Sequence, residues 1–164
     1  IKSWKGKMFE ACKSGETKVV KLLLERCNPE ESGLNIKDEK GLTAFMVACG
    51  KGHKDVVKLL LNHSERIELN ARCNNGGTAF IWACYFGQKD IVQLLLDHSD
   101  PTIELNARSN NGLTAFMWAC RSGHKDVVKL LLNHSERIEL NAEDNNGWHL
   151  CGPVFMETPR PIKH

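Results

Sequence analysis

Cysteine recurs at positions 12, 49, 84 and 120, at intervals of 37, 35 and 36 residues by subtraction. A regular ladder of thiols suggests two chemistries, coordination of a soft metal and thiol–disulfide exchange. Both need close approach. Zinc takes sulfur at about 2.3 Å, and a disulfide needs Cα atoms within roughly 7 Å. Helices that repeat by stacking lie about 8–10 Å apart, so equivalent thiols stay separate, and the ladder is expected to be a row of small buried core residues. Cys27, Cys73 and Cys151 lie outside it and are expected to be more exposed, with Cys73 open to oxidation. The total of seven cysteines is odd; they cannot all pair internally, so an intracellular, cytoplasmic setting is expected.

Histidine and aspartate recur too. His53 and His124 follow a glycine, while His63, His98 and His134 fall where a helix should end, and donors there suit its free carbonyls. None is followed by a second His or Cys at i+3 or i+4 to make a ligand pair. Asp55, Asp90 and Asp126 fall in a first helical turn, where an acid complements the dipole. No Gly-rich phosphate loop, carboxylate pair or Ser/His/Asp set stands out, so neither a metal nor a cofactor is expected. A metal- or thiol-dependent enzyme is the least favoured of three functional readings.

The elements that position these residues follow from self-similarity. Gly41, Gly76, Gly112 and Gly147 mark copies spaced 35, 36 and 35 residues apart. Asn75-Gly76 and Asn111-Gly112 predict tight hairpin turns in which both residues take positive φ. Thr43, Thr78 and Thr114 are placed to cap a short first helix. In "HKDVVKLLLNH", Val56, Val57, Leu60 and Leu61 form one apolar stripe on a second helix, and Gly52, Gly87 and Gly123 break the chain between the two. In "IELN", Ile67 and Leu69 share one face.

"GLTAFMVACGKGHKDVVKLLLNHSERIELNAR" resembles the ankyrin-repeat family, following its Gly-x-Thr-Pro-Leu-His, Ala-Ala, Gly-His and Val-x-Leu-Leu-Leu pattern. The resemblance implies an all-α solenoid of stacked helix-turn-helix repeats joined by short hairpin turns. It divides residues 1–148 into a partial repeat (1–37) and repeats at 38–72, 73–108 and 109–143. The family's Pro is Ala44, Ala79 and Ala115 here, and its His is Met46, Ile81 and Met117, which exchanges a hydrogen-bond network for apolar packing. The family's concave face, built from turn tips and first helices, implies a protein partner.

Lys and Arg total 22 against 20 Asp and Glu, too even a balance to recruit nucleic acid or an anionic membrane surface. Apolar runs are too short to span a bilayer, and no signal peptide is visible at Ile1.

Comparing residues 38–72 with 109–143 shows where the copies diverge: seven of 35 pairs differ, all in the turn or the first helix. The middle copy carries Tyr85-Phe86 where its neighbours have Gly50-Lys51 and Arg121-Ser122. Exposed aromatics and arginine carry binding energy at interfaces. The expected contact residues are therefore Glu39, Lys40, Lys51, Asn74, Asn75, Trp82, Tyr85, Phe86, Asn110, Asn111, Trp118 and Arg121. Trp82 and Trp118 either edge the groove or stack between neighbouring first helices. A second reading is a structural spacer from a longer array.

Residues 149–164 break the pattern. With permitted codons, "WHLCGPVFME" read from each codon's third base gives Ala-Phe-Met-Trp-Ala-Cys, so this tail is expected to be an out-of-frame further repeat; the alternative is an evolved cap. Either way, Trp118, Val128, Leu131 and Leu132 are expected to form an uncovered flank. Leu150, Val154, Phe155 and Met156 would fold back over it, or a second molecule would cover it, giving a monomer or an end-to-end dimer.

Overall fold

The computed structural model describes residues 4–98 and 102–147. The tail at 149–164, with Leu150, Cys151, Val154, Phe155 and Met156 and the out-of-frame reading, lies outside the described residues. Four helix pairs follow one another: α1 (Trp4–Ser14) with α2 (Thr17–Arg26), α4 (Ala44–Lys51) with α5 (Lys54–Leu61), α6 (Ala79–Tyr85) with α7 (Lys89–Asp97), and α8 (Ala115–Arg121) with α9 (Lys125–Leu132). A short helix, α3 (Pro29–Ser32), sits in the first return loop. Asn28 caps it by accepting from Glu31 N–H, and Pro29 at its first position gives up no needed donor. That local signal, Asn-Pro-Glu-Glu, is written in the sequence.

First helices stack α1–α4–α6–α8, second helices stack α2–α5–α7–α9, and each pair closes on itself. None of these helices is long enough to hold in water alone. Burial against neighbours supplies the stability. The stripe on α5 is buried at Val56, Val57, Leu60 and Leu61, and its counterparts Ile91, Val92, Leu95 and Leu96 on α7 are equally so. Thr43, Thr78 and Thr114 each accept from the N–H three residues on, as the sequence predicts. The Met46, Ile81 and Met117 side chains that replace the family's histidine are buried. Met117 also keeps a polar contact, its sulfur accepting from Thr114 N–H at 3.3 Å.

The turns differ from the expected hairpin in one respect. Among the described residues only glycines have positive φ, 77° at Gly41, 80° at Gly76 and 82° at Gly112. Asn75 and Asn111 therefore stay in ordinary backbone regions. Gly76 N–H closes the turn onto Cys73 O at 2.9 Å, and Cys73 N–H donates to Gly77 O at 3.0 Å. A single left-handed residue suffices, and glycine takes it without strain.

Periodic polar contacts tie each copy to the one before. Asn74 and Asn110 donate to the Glu39 and Asn74 carbonyls of the preceding turn, both at 2.9 Å. His53 meets Lys13 O at 3.0 Å, Gln88 donates to Gly50 O at 3.0 Å, and His124 meets Tyr85 O at 2.8 Å. In the return loops, Asn35, Asn70 and Asn106 each accept from a glutamate N–H of the next loop. The histidines bear out their helix-end reading: His63 and His134 lie 3.0 and 2.9 Å from the Leu59 and Leu130 carbonyls, and His98 reaches Leu61 O.

Two cysteine expectations fail. Cys73 is buried rather than exposed, because the turn folds its thiol inward to donate to Asn75 Oδ1 at 2.7 Å. Cys120 is only half-buried, unlike Cys12, Cys49 and Cys84, because α8 has no further first helix against it among the described residues. The end flank is also smaller than expected. Val128 and Leu131 are buried and Trp118 is half-buried, leaving Leu132 exposed at 43%.

Candidate partner-binding face

Four aromatic rings gather on one side of the stack. Tyr85 is the last residue of α6 and Phe86 follows it, at 39% and 49% exposure. Trp82 lies one helical turn earlier and Trp118 at the same place on α8. The Trp82 and Phe86 rings stack with centroids 5.5 Å apart and an interplanar angle of 16°. Tyr85 stands edge-on to Trp82 at 6.0 Å, to Phe86 at 4.9 Å and to Trp118 at 5.2 Å. Such edge and offset arrangements suit the ring quadrupoles. Tyr85 thus leans forward onto the next copy, while Phe86 leans back over Gly50, where any side chain would meet its ring at 3.4 Å. Arg121 closes the far side with its guanidinium carbon 5.8 Å from the Trp118 ring centre.

Between these rings and the turn tips runs a groove of about 660 Å³. Of the twelve contact residues expected from the sequence, it brings together eight: Asn74, Asn75, Trp82, Tyr85, Phe86, Asn110, Asn111 and Trp118. Arg121 flanks it through Trp118, whereas Glu39, Lys40 and Lys51 are exposed on the preceding copy and do not line it. Both tryptophans edge the groove. Sequence reasoning missed Gly77, Ile81 and Ser109, which complete the lining. Gly77 carried a signal, since its counterparts are Leu42 and Leu113. With no side chain there, Trp82 Nε1 and Asn75 Oδ1 close in to 3.1 and 3.2 Å from where a Cβ would stand.

The polar groups of the lining divide into spent and unspent. Asn74 and Asn110 donate to the preceding turn. The Asn75 oxygen accepts from the Cys73 thiol and from Gly77 N–H, and the Asn111 oxygen accepts from the Ser109 hydroxyl. Trp118 Nε1 donates to Ser109 Oγ at 3.4 Å. Trp82 Nε1, in the equivalent place, is buried without a hydrogen-bond partner. The cause is the residue in the turn: Cys73 stands where Ser109 stands, and sulfur accepts weakly.

The thiol ladder sits behind this face, in the core. Burial pushes the Cys12 thiol up to about 12, and drives Cys49 and Cys84 further up, with the neighbouring ladder cysteine adding to burial in each. Such thiols are poor nucleophiles and poor ligands. Among the described residues no three His, Cys, Asp or Glu side chains come together to hold a metal, and no helix is long and apolar enough to cross a membrane.

A stack of helix pairs, each buried against its neighbours, defines a repeat solenoid. The chain belongs to the ankyrin-repeat family: the family model described as Ankyrin repeats (3 copies) matches residues 8–108 and 100–151. Over 55 residues it is 46% identical to osteoclast-stimulating factor 1 of Monopterus albus, a stretch covering 34% of this chain and 24% of that relative. The match thus spans about a quarter of the relative's length. Ankyrin repeats are in general protein-interaction modules, typically without enzymatic activity.

Proposed function

We propose that this chain binds a partner protein on its concave face, through the aromatic groove of the central copies and the exposed turn tips around it. The observation that carries the reading is the pair Tyr85 and Phe86. They are large, exposed and mutually packed, and they sit where the flanking copies carry Gly50-Lys51 and Arg121-Ser122. A spacer has no use for exposed aromatics, which invite aggregation unless they meet a partner. Rigid aromatics held by neighbours lose little entropy on contact, which favours them as anchors. Glu39, Lys40, Lys51 and Arg121 form a charged rim that orients the partner more than it holds it.

The test compares the immobilised full chain with its Tyr85→Ala/Phe86→Ala variant, identifying retained proteins by mass spectrometry. Proteins held by the first and released from the second are expected. Identical profiles from two equally folded baits overturn the reading and favour the spacer.

A further inference from the structure

The groove's chemistry narrows what it takes. None of its lining residues is charged. A cationic guest has no carboxylate to meet there, and Arg121 already sits over the Trp118 ring. The Asn75 and Asn111 oxygens are engaged within their own turns, so these two side chains have amide N–H groups left to offer. The guest must therefore present acceptors to donors and flat apolar rings to aromatic faces.

Spacing selects the backbone. Asn75 and Asn111 are equivalent residues of consecutive copies, so their donors recur at the helix-stacking distance of about 8–10 Å. A polyproline II chain rises about 3.1 Å per residue with three residues per turn, so it repeats a carbonyl about every 9 Å, and none of its carbonyls is used internally. A β-strand repeats one face about every 6.6–6.8 Å and drifts out of register within one copy. Proline rings also suit aromatic slots and lose little entropy on docking. Building on the concave-face reading, we propose that the groove takes a proline-rich segment of the partner in the polyproline II conformation. The segment runs along the stack, with its carbonyls accepting from Asn75 and Asn111 and its rings packed among Trp82, Tyr85, Phe86 and Trp118.

A random peptide library selected against the full chain tests this directly, with recovered sequences remade and titrated by tryptophan fluorescence. The expected peptides carry prolines three residues apart. Their binding weakens about tenfold or more with Tyr85→Ala/Phe86→Ala and with Asn111→Asp, while circular dichroism melting shows each variant folded. Peptides without that proline period that still depend on Tyr85 and Phe86 overturn the polyproline assignment and leave the concave-face reading standing. Peptides indifferent to both variants overturn both. If the library returns no binder and a synthetic oligoproline leaves the fluorescence unchanged, the polyproline assignment also fails.

Discussion

Cys73 and Ser109 hold equivalent places in consecutive turns, and the exchange of sulfur for oxygen decides what two tryptophans do. Trp118 Nε1 has the Ser109 hydroxyl; Trp82 Nε1 has no hydrogen-bond partner among the described residues. Cys73→Ser is therefore expected to stabilise the chain by about 1 kcal/mol, the usual net worth of a hydrogen bond that satisfies a buried donor. A urea midpoint read against the unchanged chain checks it, and no shift would mean the indole is satisfied another way. The ladder thiols give a second prediction. Among the cysteines of the described residues, Cys49 and Cys84 should modify last with a thiol reagent, and half-buried Cys27 and Cys120 first, as peptide mapping of a time course would read. Burial raises the pKa values of Cys12, Cys49 and Cys84 in the fold, so the folded chain keeps those protons where the unfolded chain loses them. That contribution is intact below the ordinary value of 9.0 and is lost as pH rises above it toward 12. Burial of Cys12, Cys49 and Cys84 was legible, because cysteines in register share one environment where copies stack on both sides, as they do not at Cys120. Burial of Cys73 was not, since it depends on a thiol–carboxamide contact inside a turn.

At the scale of the element, each helix is positioned by a cap, a stripe and a glycine, and all three can be read from one copy. Thr78 caps α6, Leu95 anchors α7 at 1% exposure, and Gly76 closes the turn with φ of 80°. Leu95→Ala is expected to cost roughly 2–5 kcal/mol, because close packing on both sides prevents collapse around the cavity. Gly76→Ala fails for two reasons: a left-handed backbone, and a Cβ that would fall 2.8 Å from the Asn110 backbone nitrogen of the next turn. Denaturant unfolding of the two variants checks both, and a Gly76→Ala midpoint equal to the parent's would show the turn free to re-form without its neighbour. The cap and the stripe were legible because they are local. The steric role of Gly76 was not, since its partner belongs to another copy.

At the scale of the whole molecule, stability is a sum of copies and the contacts between them, so position in the stack matters as much as sequence. The copies at 38–72 and 109–143 carry the same second helix, "KDVVKLLL", yet its final leucine is 6% exposed as Leu61 and 43% exposed as Leu132. Identical residues differ because the next copy covers one and no described residue covers the other. This is also why the flank was only partly legible: periodicity locates the apolar stripe, but not which part of it turns inward onto its own pair, as Val128 and Leu131 do. The central pair α6–α7 has helices on both sides, whereas among the described residues α8–α9 packs against helices on one side, α6 and α7. Opening the end pair therefore exposes one interface, and opening the central pair exposes two. Amide exchange is expected to be fastest in α9 and then α8, with α6 and α7 protected close to the global limit. Mass-spectrometric exchange on the intact chain measures this, and equal protection in α7 and α9 would mean that the end of the stack is covered as fully as its middle.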